Sequence, residues 1–260
     1  FAEQMVGMTD MLKATDTDGL VLDTRGSSSV EIQAAGDAAK EGVIMYSEGM
    51  AIPKDMPGII SGRVHNALVY PPLLNLNKFI KPDFAIFRVA ELAYEPILRE
   101  YNLSLFNGHG VEINQFQPGR PEWVDEQYKH LGRMLMVLRS NSDAFNYSTY
   151  TPLVATLRDS VYVNEWKSDA KTIYTIYNAN PEGYTGPLFD LELPDTHHAV
   201  NLWTHQPVSV DSGKALVSID GFAPGDLGTN NEGTVSVVAV FPKVLQVSRK
   251  GDELIIQSPP

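Results

Sequence analysis

Gly19-Leu20-Val21-Leu22-Asp23-Thr24-Arg25-Gly26 and Gly42-Val43-Ile44-Met45-Tyr46-Ser47-Glu48-Gly49 are two short apolar runs, each bracketed by glycine and each ending in a carboxylic acid. Their apolar residues follow one another without alternation, the pattern of strands buried on both faces in a parallel sheet. The stretch between them, Ser28 to Glu41, reads as a helix. A strand–helix–strand unit of this kind sets Asp23 and Glu48 on the same rim of a parallel sheet. That rim, at the carboxyl ends of the strands, is where such folds carry their chemistry.

Upstream of this unit, Ala2 to Ala14 has Met5, Met8 and Leu12 at helical offsets, and Thr15-Asp16-Thr17-Asp18-Gly19 breaks that helix. Downstream, residues 53–83 carry Pro53, Pro57, Pro71, Pro72 and Pro82 and read as a long irregular connection, the kind that walls an active site. Phe84–Val89 is the next strand, followed by a helical stretch from Glu91 to Tyr101. Leu103–Phe106 reads as a further strand ending in Asn107-Gly108-His109-Gly110. Pro121, at a favoured first helical position, opens a helix whose apolar stripe is Trp123, Leu131, Leu135 and Leu138, and which ends near Asn141.

The character changes near Tyr150. From there β-branched and aromatic runs alternate with turn residues: Ser160–Trp166, Thr172–Tyr177, Ala199–Trp203, Ala215–Ile219, Thr234–Phe241, Val244–Arg249 and Glu253–Gln257. The last two, joined by Lys250-Gly251-Asp252, form a hairpin. The expected architecture is therefore α/β followed by all-β, with an α/β domain over residues 1–147 and an antiparallel β-sandwich over 148–260. A complete (β/α)8 barrel takes roughly 250 residues. The first domain is too short for that, so either its sheet is open or it is a partial barrel, strands four to eight, whose first half lies elsewhere, and the second option is preferred.

Composition bounds the partners. The 260 residues carry a net charge of −12 with no basic tract, which argues against nucleic acid. The absence of cysteine excludes disulfides, thiolate metal sites and a cysteine nucleophile. No apolar run is long enough to span a bilayer, and no signal peptide is visible in a chain that begins at Phe1. Asp16 and Asp18 mimic the start of a calcium loop, but Ser27 stands where the bidentate glutamate belongs. Neighbouring His197 and His198 would face opposite sides of a strand, so neither a metal nor a cofactor is expected. Phosphate-binding glycine loops and the Gly-x-Ser-x-Gly elbow are also missing.

Paired carboxylates at neighbouring strand ends are the working parts of glycoside hydrolysis. Asp23 would attack as an ionised nucleophile, held in that state by Arg25. Glu48 would act as acid/base, with Tyr46, Met50 and Ile52 supplying the apolar surroundings that raise a carboxyl pKa. The plainer alternative has Asp23 capping the helix that begins near Ser28, and Glu48 as a solvated loop residue. Arg63 and His65, in the long connection, suit binding of sugar hydroxyls or a substrate carboxylate. Arg88 and Glu91 form either a rim pair that orients Asp23 or a structural ion pair. Asn107 belongs to the same rim, and His109 lies between glycines that admit close approach of a ligand. Tyr46, Tyr70 and Phe116 are candidate stacking platforms.

With these residues placed, the chain resembles the C-terminal half of the catalytic barrel, with the following β-sandwich, of α-retaining glycosidases. The α-amylase superfamily and the endo-α-N-acetylgalactosaminidase family are the nearest. Asp18-Gly19-Leu20-Val21-Leu22-Asp23 is similar to their strand-four motif, which carries the nucleophile. Tyr46-Ser47-Glu48 occupies the place of the strand-five acid/base, and Asn107-Gly108-His109-Gly110 resembles a strand-eight rim. The resemblance implies a retaining hydrolase of α-linked glycans, outside the cell or at the surface of a bacterium. Its partners would be a carbohydrate substrate and an upstream segment or second chain that completes the barrel. The alternative is a non-catalytic carbohydrate-binding or cell-surface assembly protein with a degenerate barrel.

Overall fold

The computed structural model describes residues 2–23, 29–49, 52–64, 74–92, 98–115, 122–146, 149–222 and 233–258, the side chains of Ser47, Glu91, Leu92, Gln115 and Gln246 excepted. The chain divides into two compact units, the first over Phe1–Gly132 and the second over Arg133–Asp226 and Glu232–Pro260. Among the described residues no helix is long and apolar enough to cross a membrane.

The first unit alternates helix and strand: α1 (Ala2–Thr15), β1 (Gly19–Leu22), α2 (Val30–Ala39), β2 (Ile44–Ser47), β3 (Ser61–Val64), β4 (Ala85–Leu92), α3 (Leu98–Asn107) and β5 (Gly110–Gln115). Helix α4 (Val124–Ser140) follows, and the division between units falls within it. Among the described residues every strand pairing in this unit is parallel, β1 with β2 and β3–β4–β5 in sequential order. The backbone of Arg63 donates to Gly49 O at 3.4 Å and links the end of β2 to β3.

Local chemistry fixes the first crossover. Ser29 caps α2, its side chain accepting from Ile32 N, a contact that stabilises such a helix by about 1 kcal/mol. Gly36 lets α2 press onto β2, since a Cβ there would meet Met45 and Val43 at 2.8 Å. The buried Gln33 amide stitches the two together, donating to Val43 O at 2.7 Å and accepting from Met45 N at 3.3 Å. Around this seam Leu12, Ile32, Val43 and Met45 form a core, with Leu20 and Leu22 packed against it. Lys40 bridges Asp16 and Asp18, so the acids of the calcium-like stretch serve an ion pair.

Three expectations for this unit are corrected. Leu103–Phe106 is not a strand but part of α3, in which every residue from Arg99 to Asn107 is buried. A helix enclosed on all sides has no amphipathic stripe, and its four-residue apolar run looks like a strand. Strand β4 continues to Leu92, where a helix was expected to have begun. The proline-rich connection also contains a strand, β3.

The second unit begins with the rest of α4 and continues through α5 (Ser142–Phe145), β6 (Thr149–Thr151), β7 (Val161–Lys167), β8 (Thr172–Asn178) and β9 (Tyr184–Asp190). It goes on with β10 (His197–Asn201), β11 (Gln206–Pro207), β12 (Val210–Asp211), β13 (Lys214–Ile219), β14 (Thr234–Pro242), β15 (Gln246–Lys250) and β16 (Glu253–Gln257). A six-stranded antiparallel sheet runs β11–β10–β14–β8–β7–β6, a three-stranded one β12–β13–β9, and β15–β16 stands as a separate hairpin. The two larger sheets share one apolar core that includes Val163, Ile176, Val238, Leu188 and Val217. Trp166 is fully buried, stacked on Tyr150 at 4.2 Å, with its indole N–H donating to Thr175 Oγ1 at 3.0 Å. The strands foreseen here all exist. Strand β9 was not foreseen, because Gly186 and Pro187 interrupt it.

Candidate active site

The register of β1 and β2 pairs Leu22 with Ser47, the last residue of each strand. Asp23 and Glu48 are the next residue on each chain, at the carboxyl end of neighbouring parallel strands. Paired strands lie about 4.8 Å apart, so the two acids stand side by side on one rim. Asp23 is exposed, whereas Glu48 is partly covered.

In parallel strands residues in register share a face, and successive residues alternate. Leu20, Leu22 and Met45 belong to the core formed with the helices, so Val21, Ile44 and Tyr46 take the opposite face. Val21 and Ile44 are 69% and 42% exposed there. Arg63, Phe87 and Gly110 form one row across β3, β4 and β5. Two positions further along β5, Glu112 takes the same side.

These residues meet. Arg63 is 7% exposed, and one arm of its guanidinium donates to Glu48 at 2.8 Å and the other to Glu112 at 2.5 Å. The Tyr46 hydroxyl donates to the second oxygen of Glu112 at 2.8 Å. Phe87 presents its edge to the Tyr46 ring at 5.8 Å. Gly110 makes room for Phe87, since a Cβ there would lie 2.7 Å from its ring. Burial, the hydrogen bond to Glu112 and the charge of that carboxylate all hold the Tyr46 phenol well above its ordinary pKa. Three strand spacings separate β2 from β5 along a flat sheet, about 14 Å. A direct Tyr46–Glu112 hydrogen bond therefore requires the strands to curl toward this face, as in the wall of a barrel.

The structure brings together Tyr46, Glu48 and Arg63 from the sequence-derived candidates, with Asp23 beside them on the rim. It adds Glu112, which sequence reasoning missed. The alternation of apolar and polar residues in Val111-Glu112-Ile113-Asn114 was the available signal of a strand. Arg88 is not on the rim. It lies within β4 on the helix-facing side, fully buried, and pairs with Glu100 of α3 at 2.9 Å. Asn107 ends α3 and His109 stands just before β5, at the amino end of that strand, whereas Asp23 and Glu48 follow the carboxyl ends of β1 and β2. Asn107 is occupied in bonding Asn75 N and Leu103 O. His109 is 2% exposed, with neither ring nitrogen bonded. Arg25, His65, Tyr70 and Phe116, and the side chain of Glu91, lie outside the described residues.

No family model and no curated protein matches the chain. Solved structures do. An Anoxybacillus α-amylase superposes with a TM-score of 0.56 at 12% identity, covering 93% of this chain and 64% of that one. The α-amylase of Geobacillus thermoleovorans, solved with acarbose, gives 0.59 at 13% identity with the same coverages. A cyclomaltodextrinase gives 0.59 at 11% identity, covering 90% of this chain and 47% of that one. The chain thus spans 64% of the length of the two α-amylases. At these identities the likeness is one of fold alone, to structures that are α-amylases and a cyclomaltodextrinase.

Proposed function

We propose that this chain is the C-terminal part of a (β/α)8-barrel glycoside hydrolase, strands four to eight followed by a β-sandwich, that cleaves α-linked glycans with retention. The observation that carries the reading is the β1–β2 register, which sets Asp23 and Glu48 side by side at the carboxyl rim of an α-amylase-like fold. Retention needs two carboxyl groups roughly 5–5.5 Å apart, the order of one strand spacing. Asp23, exposed on the rim, attacks the anomeric carbon. Glu48 gives a proton to the departing oxygen, then takes one from the water that releases the sugar from Asp23. The exposed face at Val21 and Ile44 is where an upstream segment or a second chain completes the barrel.

The test is kinetic, on the chain together with whatever segment completes it. Asp23→Asn abolishes turnover of an activated aryl α-glycoside, and an unchanged rate removes the reading. Glu48→Gln loses turnover of unactivated glycosides far more than of aryl glycosides, whose leaving group needs no proton.

A second reading, glycan binding without hydrolysis, is favoured by one observation. Glu48 is ion-paired to Arg63, and such a pair favours the carboxylate over the proton-bearing acid. Calorimetric binding of oligosaccharide by a protein with no turnover supports that reading instead.

A further inference from the structure

We propose that Glu112, braced by Tyr46, is a positioning residue that draws the Arg63 charge away from Glu48 and so lets Glu48 carry a proton at working pH. The inference rests on the reading of Glu48 as acid/base, and it resolves the conflict that the Arg63 pair creates for that role.

The geometry is a chain of four side chains from β2, β3 and β5. Arg63 is nearly buried and divides its two arms between Glu48 and Glu112. One guanidinium serving two carboxylates neutralises neither completely. Glu112 thus acts on Glu48 twice, by taking a share of the cation and by repelling a second negative charge, and both effects favour the protonated form. Both oxygens of Glu112 are engaged, one by Arg63 and the other by the Tyr46 hydroxyl, which fixes the plane of the carboxylate. Phe87 steadies the Tyr46 ring in turn. Among the described residues, the titratable groups on this face are Asp23 from β1, Tyr46 and Glu48 from β2, Arg63 from β3 and Glu112 from β5. Strand β4 contributes the neutral Phe87. Glu48 and Glu112 are 29% and 30% exposed around an arginine that is 7% exposed, so solvent still reaches both acids and a proton can be taken up and released at Glu48.

The experiment is a titration of the Glu48 carboxyl by ¹³C NMR in glutamate-labelled protein, which needs no turnover. In Glu112→Gln, isosteric but uncharged, the Glu48 titration moves to lower pH by about one unit, roughly a tenfold loss of proton affinity. In Glu112→Asp, which keeps the charge, it stays within a few tenths of the wild-type midpoint. In active protein the alkaline limb of kcat moves with it in Glu112→Gln while KM holds. A Glu48 midpoint that is unmoved in Glu112→Gln, or moved equally by both variants, overturns the proposal. A shifted midpoint in a protein that hydrolyses nothing leaves the coupling standing and removes the hydrolase reading alone.

Discussion

Arg88 and Glu100 meet in the layer between β4 and α3, where both the Nε and the Nη2 of Arg88 donate to a single Glu100 oxygen at 3.2 and 2.9 Å. Both side chains are out of solvent. Removing one partner strands the other charge in a low-dielectric layer, and Arg88→Met or Glu100→Leu alone should cost about 3–5 kcal/mol. The double variant recovers most of that loss. Urea unfolding of the three proteins checks it, and additive losses would contradict it.

His109 links stability to acid. Burial first, then the nearby positive charges of Arg88 and Lys78, hold its imidazole neutral well below the ordinary histidine range. An unfolded histidine takes its proton near pH 6.5. Below that pH the unfolded chain binds more protons than the folded one, so stability falls as pH drops. His109→Leu should flatten the decline between pH 7 and 5, read as thermal midpoints across that range.

Lys78 acts at the alkaline end. It is buried, its Nζ donates to Pro82 O, and desolvation pushes its ammonium down to about 8 against the pull of Asp83. From pH 8 up to the ordinary lysine value of 10.5 the unfolded chain is the more protonated, so stability contributed by this group rises with pH. Lys78→Met removes that rise. Unfolding midpoints at pH 7.5 and 10 in the two proteins measure the difference.

Gly110→Ala should reach the site through packing alone. The added methyl meets the Phe87 ring, which rests edge-on against Tyr46. Overpacking of this sort costs about 1–3 kcal/mol, and the displaced Tyr46 loses its bond to Glu112. Thermal unfolding reads the cost. An alkaline absorbance titration reads the release, as one delayed phenol returns toward the ordinary tyrosine range.

Some of this was legible from residues alone. The β1 and β2 runs announce themselves because both faces are apolar between glycines, and their acids could be placed from the connection length. Strand β3 hid because Ser61-Gly62-Arg63-Val64 offers one large apolar residue, the others being required for close packing and for the carboxylates. Strand β5 hid for a related reason: its polar face looks into the site. Helix α3 misled because complete enclosure erases the stripe by which a helix is recognised. Arg88 was assigned to the rim because β4 runs on to Leu92 instead of stopping at Val89, and His109 because the helix before it was read as a strand. In the second unit the β-branched runs dominate; β9, broken by Gly186 and Pro187, escaped, as did β6, β11 and β12, which are only two or three residues long.

Among the described residues the β15–β16 hairpin shares no ladder with either larger sheet, and Val247, Leu254 and Ile256 along it are each more than half exposed. Strand β8, by contrast, is bonded along both edges, to β7 and to β14. The hairpin amides should therefore exchange through local opening long before the centre of the six-stranded sheet gives up a proton, and the hairpin should be cut by protease before that centre is.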